Sequence, residues 1–265
     1  MKHRTEQEMM DLILKVASED KRVRAVWMNG SRANPNAPQD QYQDFDIVYA
    51  VTDMQEMIKN PGWIDVFGER IIMQTRSEQL DSQPPYLDWY IFMMQLLDGN
   101  RIDLQLVPVS LAAEKVLSDR MCKVLMDKDS MLPEIPPADE SGYWVRKPTE
   151  REYLCTCNEF WWVATYVVKG IWRQEMPYAH GMMCGYVWPM LRQMVEWKIG
   201  IQHDFKVNTG KLGKYIERYL YSDQWRLFAG SFAGGNYDDM MRALFSMGEL
   251  FPGCGREGGQ ALGNA

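Results

Sequence analysis

Three aspartates and one glycine turn hold the chemistry this sequence can do. Asp44 and Asp46 stand at i and i+2 where an apolar run, Phe45 to Val51, begins. Side chains along a strand alternate faces, so the two carboxylates point the same way. Paired like that they repel each other unless a cation lies between them. Hard oxygen ligands suit Mg²⁺, which is commonly held by one or two carboxylates together with substrate phosphates. A third acid, Asp103, lies in the alternating run Arg101 to Val107. It can complete the metal site or act as the proton acceptor that an attacking hydroxyl needs. Upstream, the run Val23 to Met28 ends at Gly30-Ser31. Gly30 allows close backbone approach, and the amides around Ser31 suit a phosphate. Arg32 follows, either as a further phosphate contact or as a solvated loop charge.

A Gly-Ser after one strand, a D-x-D opening the next and a later strand acid are similar to the nucleotidyltransferase signature. Longer stretches are more specific. Glu8-Met9-Met10-Asp11-Leu12, Asn29-Gly30-Ser31-Arg32-Ala33-Asn34, Phe45-Asp46-Ile47 and Asn158-Glu159-Phe160-Trp161 resemble the aminoglycoside 6-adenylyltransferases, or streptomycin adenylyltransferases. Val145-Arg146-Lys147-Pro148, Trp197-Lys198-Ile199-Gly200 and Ile216-Glu217-Arg218-Tyr219 extend that resemblance, which runs from about the first residue to Phe251.

The resemblance implies an antibiotic-resistance enzyme that moves AMP from ATP to the 6-hydroxyl of streptomycin, with Mg²⁺ bound and pyrophosphate leaving. Asp44, Asp46 and Asp103 match the family's three acids, and Gly30 and Ser31 match its phosphate turn. Lys147 falls just past the expected domain junction, where it would face the cleft between the domains. Family members tend to carry an acid on the second helix of the C-terminal domain. Here that segment, Pro177 to Tyr186, has none, and His180 is its one base titrating near neutral pH. Glu159, on the preceding helix, is a comparable candidate. This departure bears on the acceptor pocket, so the rival readings are transfer to another aminoglycoside or a lincosamide, and a catalytically impaired relative that only binds nucleotide or antibiotic.

The elements that must position these residues follow from periodicity. Thr5 with Glu8 forms a capping-box pattern ahead of a helical stripe through Met9, Ile13 and Ala17. Residues 33–43, rich in Asn, Pro, Gln and Asp, read as a loop. Asp53 to Lys59 reads as a short helix, Arg70 to Thr75 as a strand, Leu111 to Leu117 as a helix and Lys123 to Met126 as a short strand or helix. Asp98-Gly99 is a hairpin dipeptide that joins Trp89–Leu97 to Arg101–Val107 and sets Asp103 beside the strand of Asp46. Leu132-Pro133-Glu134-Ile135-Pro136-Pro137 cannot continue a helix and marks a junction.

Beyond it the period becomes helical, over Arg151–Arg173, Pro177–Gly200, Thr209–Tyr221 and Asp238–Phe251. The expected architecture is α+β: a mixed-sheet nucleotidyltransferase domain over 1–137, a helical substrate-binding bundle of four to six helices over 138–251, and a disordered glycine-rich tail over 252–265. The Trp161-Trp162 pair and Cys155 with Cys157 are expected to pack inside the bundle.

Composition narrows the partners. A net charge of −7 and a pI near 5.1 argue against nucleic acid, whose binding domains are usually basic, and suit a small cationic antibiotic. Five cysteines are an odd number in a chain too long to need a disulfide framework. The charged start leads into no apolar segment, and no run approaches the roughly 20 residues of a membrane span. A cytoplasmic monomer or homodimer is expected.

Overall fold

The computed structural model describes residues 3–261. Among them the chain forms two compact units, Met1–Gly142 and Tyr143–Ala265. The first is built on a six-stranded mixed sheet and the second on helices, an α+β fold.

In the first unit, α1 (Glu6–Glu19) starts at the capping box of Thr5 and Glu8. It leads through β1 (Val23–Asn29), β2 (Phe45–Val51), α2 (Met54–Lys59), β3 (Arg70–Thr75), β4 (Tyr90–Leu96), β5 (Arg101–Pro108), α3 (Ala112–Leu117) and β6 (Cys122–Asp127). The strands lie in the order β3-β4-β5-β2-β1-β6. β2 and β5 pair in parallel and every other neighbouring pair is antiparallel.

β1 and β2 are covered on both faces, which is why they read as nearly unbroken apolar runs. Val26, Met28, Ile47 and Tyr49 share one cluster with Met9 and Ile13 of α1, and the Tyr49 hydroxyl donates to Ile13 O at 2.6 Å. Ala25, Trp27, Val48 and Ala50 join Val116 of α3 on the other face. β4 and β5 alternate instead: Ile102, Leu104 and Leu106 are buried, while Arg101, Asp103 and Gln105 turn to a half-open face.

The proline stretch at 132–137 stays with this unit. Leu132 and Ile135 pack on the α3 side of the sheet. Asp139 pairs with Arg120, and Glu140 accepts from Asn34 Nδ2 at 3.1 Å and Asn36 Nδ2 at 3.2 Å. These contacts carry the first unit past Pro137, the expected boundary, to Gly142.

In the second unit, α4 (Glu150–Trp172) is capped by Thr149 and Glu152. α5 (Met176–Met182) and α6 (Trp188–Gln202) replace the single helix expected over Pro177–Gly200. A wide π-type turn, Met183–Val187, separates them just ahead of Pro189, whose missing N–H removes a helical hydrogen bond. Thr209–Tyr221 holds only two short turns, because Gly210, Leu212 and Gly213 are left-handed, with φ of 75°, 57° and 77°.

α7 (Ser222–Ala229), which the periodicity does not announce, and α8 (Tyr237–Ala261) complete the unit. α8 continues through Pro252 to Ala261, so helical backbone occupies most of the stretch expected to be a disordered tail; 262–265 lie outside the described residues. Phe160, Val167, Leu191, Met194 and Met247 form the core, and Phe160 stacks on Phe251 with ring centroids 3.8 Å apart. Trp161 and Trp162 remain half-exposed, Cys155 is exposed and Cys157 half-buried, so α4 shows more of its apolar stripe than expected. No helix among the described residues is long and apolar enough to cross a membrane.

Candidate functional site

The sheet register brings the three acids together. Parallel pairing of β2 with β5 sets Asp46 directly opposite Asp103, and Asp44 immediately precedes β2. The charges feel one another. Burial pushes the Asp46 carboxyl up to about 6, and the neighbouring charges of Asp103 and Asp44 reinforce the shift. Asp44 is raised as well, first by burial, with Arg101 opposing and Asp103 reinforcing.

The glycine turn closes over this cluster. β1 runs antiparallel to β2 with Met28 opposite Ile47, which delivers Gly30 to Asp46. Gly30 has φ +74°, and a Cβ built on it would fall on Asp46 Oδ2. Both facts demand glycine. The turn is held by Ala33 N donating to Gly30 O at 3.1 Å, and Ser31 Oγ accepts from Gln43 Nε2 at 3.3 Å. Beside it, Asn29 Oδ1 is buried and finds no hydrogen-bond donor among the described residues.

Two arginines stabilise the arrangement in ways that spacing alone does not reveal. Arg32 donates from Nε to Asp44 O at 3.1 Å and from Nη2 to Gln43 O at 2.8 Å. Its Nη1 pairs with Glu6 at 2.8 Å and its guanidinium lies 4.0 Å from the Phe45 ring centroid. With its side chain 5% exposed, it is not a solvated loop charge, and its donors are taken up by the Gln43 and Asp44 carbonyls and by Glu6. It anchors the loop between the glycine turn and Asp44. Arg101 grips Asp103 with two hydrogen bonds, Nε to Oδ1 at 2.8 Å and Nη2 to Oδ2 at 2.7 Å, and stands 3.7 Å from Asp44 Oδ2.

A divalent cation can be tested against this donor set. Among the described residues no three His, Cys, Asp or Glu side chains converge on one metal position as they stand. Asp103 is turned to Arg101. Asp44 and Asp46 remain, coupled in charge and beside a backbone turn that no Cβ obstructs. Two carboxylates completed by substrate phosphates are a set that Mg²⁺ accepts.

The other residues singled out in the sequence belong to the second unit. Lys147 is exposed in the loop before α4, and Glu159 is half-buried on α4. His180 is exposed on α5, its Nε2 3.7 Å from Cys184 Sγ. That unit also has a recess of about 450 Å³ lined by Trp144, Arg146, Arg192, Glu196, Thr209 and Lys211.

Known proteins resemble the whole length of the chain. Residues 3–264 match the streptomycin adenylyltransferase family. An aminoglycoside 6-adenylyltransferase of Bacillus subtilis (strain 168) is 39% identical over 250 residues, 94% of this chain and 88% of the relative. Enzymes of the same name from Campylobacter jejuni and Staphylococcus aureus are 36% and 34% identical, each over 94% of this chain and over 86% and 88% of their own lengths. A crystal structure of an aminoglycoside 6-adenyltransferase from Bacillus subtilis aligns over 99% of this chain and 93% of its own, at 34% identity and a TM-score of 0.45.

Proposed function

The chain belongs to the streptomycin adenylyltransferase family, and from that premise we propose that it adenylylates an aminoglycoside, moving AMP from ATP to the 6-hydroxyl of streptomycin. The observation that carries the reading is the meeting of Gly30 with Asp46, where an unobstructed turn approaches a carboxylate that burial and two neighbouring acids have made costly to ionise.

In this reading Asp44 and Asp46 hold Mg²⁺, and the amides of Gly30 and Ser31 receive the β- and γ-phosphates. The metal supplies charge neutralisation at the α-phosphorus, and the chain's own residues position the triphosphate for in-line attack. Asp103 is the third carboxylate or the proton acceptor for the hydroxyl, with Glu159 and His180 as alternative acceptors and Lys147 as a further phosphate contact. The net charge of −7 favours a polycationic acceptor. The need for ATP fits a cytoplasmic enzyme without nucleic-acid or membrane partners.

The test is direct. The full chain is given ATP and Mg²⁺ with streptomycin, other aminoglycosides and a lincosamide in turn, and pyrophosphate release is followed. The product of the active pair is weighed for one added AMP. Release with streptomycin and the matching mass gain support the proposal. Release with another antibiotic alone moves the acceptor assignment. Bound ATP without release from any of them makes the chain an impaired relative.

A further inference from the structure

Arg101 reaches two of the three acids, Asp103 and Asp44, and Asp103 stands opposite the third, Asp46. The arginine is bound to Asp103 by both prongs of its guanidinium and lies 3.7 Å from Asp44. A two-pronged arginine–carboxylate pair is among the stronger charge-assisted contacts a protein makes. Here it is made on a half-open sheet face, with Arg101 40% and Asp103 14% exposed. Arg101 also has somewhere to go. It lines a recess of about 310 Å³ with Ile72, Gln74, Met93 and Gln95, and Gln95 is its partner across the β4–β5 register. Glutamine carbonyl oxygens can accept a guanidinium that has left its carboxylate.

We propose that Arg101 is a resident counter-ion that a divalent cation displaces from Asp103, so that Asp103 joins Asp44 and Asp46 as a metal carboxylate only once the guanidinium has moved into that recess. Arg101 is thus a positioning residue: it keeps the acid cluster neutralised when no metal is bound and competes with the metal for Asp103. The inference rests on the metal reading of the acids given above. It explains why, among the described residues, Asp46, its register partner Asp103 and the nearby Asp44 do not converge on one metal position. It also makes cation binding weak until a triphosphate adds its own charges.

Binding of Mn²⁺ to the full chain, followed from the paramagnetic signal of the free ion, tests this without any turnover. In the absence of nucleotide, Arg101→Gln is expected to bind Mn²⁺ about tenfold tighter than wild type, the weight of one charge-assisted pair removed from the competition. Arg101→Lys keeps the charge without the two-pronged fit, so it should gain less and carries the test should the glutamine variant fail to fold. The gain must vanish when Asp103→Asn is added, since the freed carboxylate is what the metal takes. No gain in either single variant, or a gain that survives Asp103→Asn as a plain charge effect, overturns the proposal. Wild type with ATP is the control: if it binds no Mn²⁺ either, the metal reading falls and this inference with it. If it binds and Arg101 has no influence, only this inference falls.

Discussion

Asp98 and Asp46 lie on the same sheet unit, and their acidities move in opposite directions. Burial raises both. At Asp98, whose side chain is 1% exposed, burial is overcome by donors: Arg4 Nε at 2.5 Å, Asn100 Nδ2 at 3.1 Å and the Asn100 amide at 3.2 Å hold it at about 2. Asp46 accepts no hydrogen bond from any described residue, and its nearest charged neighbours include two more carboxylates, so it rises to about 6. The contrast separates two uses of a covered acid. Asp98 is saturated by its own chain and staples the β4–β5 turn to the start of α1. Asp46 is left without a hydrogen-bond donor among the described residues, which costs the fold stability and is explained by a ligand from outside.

The largest effect should come from removing the unsatisfied acid. Asp46→Asn is expected to lower transfer roughly a thousandfold or more, the several kcal/mol that a metal clamp contributes at the phosphate. Its melting temperature should hold or rise, because a repelling charge is gone. Steady-state rates and a thermal melt on the same sample check both; activity within tenfold of wild type would remove the metal assignment. Glu159→Gln should cost less, and His180→Asn least, since that ring is exposed on α5, with its Nε2 3.7 Å from Cys184 Sγ.

Next in size is the turn. Gly30→Val needs a left-handed φ that a β-branched residue resists, and its Cβ would displace the Asp46 carboxylate. Nucleotide binding by calorimetry should disappear, with stability reduced by about 1–3 kcal/mol from the strained backbone. Unchanged ATP affinity would show that the phosphates lie elsewhere.

The sequence reveals these two regions unequally. Asp98-Gly99 is a turn signal with a local cause, and the hairpin it forms carries Asp103 to Asp46 as the alternation requires. The capping boxes at Thr5 and the spacing of Asp44 and Asp46 are equally local. Arg101 and Arg32 are not, because their partners are fixed by strand register and loop path. Nothing in Gly30-Ser31-Arg32 announces that Arg32 will anchor on the carbonyls of Gln43 and Asp44 and on Glu6. The helical unit shows the same limit. An apolar stripe at helical period marks Pro177–Gly200, yet the turn ahead of Pro189 splits it. The Thr209–Tyr221 stripe fails because three left-handed residues interrupt it.

The saturated acid offers the smaller and cleaner test. Asp98→Asn should lower unfolding stability by about 1–2 kcal/mol in urea, less than the full value of charged hydrogen bonds because water reaches Arg4. Transfer should not change, since the Asp98 carboxylate is taken up by Arg4 and Asn100 and accepts no hydrogen bond from Arg101. The pH dependence then gives opposite signs for the two acids in metal-free protein. Asp98 is more acidic folded than unfolded, so its contribution is complete above about pH 4, the unfolded value, and is lost as pH falls toward 2. Asp46 is less acidic folded than unfolded, so the folded state binds its proton more tightly and stability declines as pH rises from about 4 through 6. Asp98→Asn should flatten the acid side of the stability profile alone, and Asp46→Asn the slope between pH 4 and 6 alone. Urea melts across that range check this, and a variant that altered both limbs would mean that the two acids are coupled and the contrast is not one of donors.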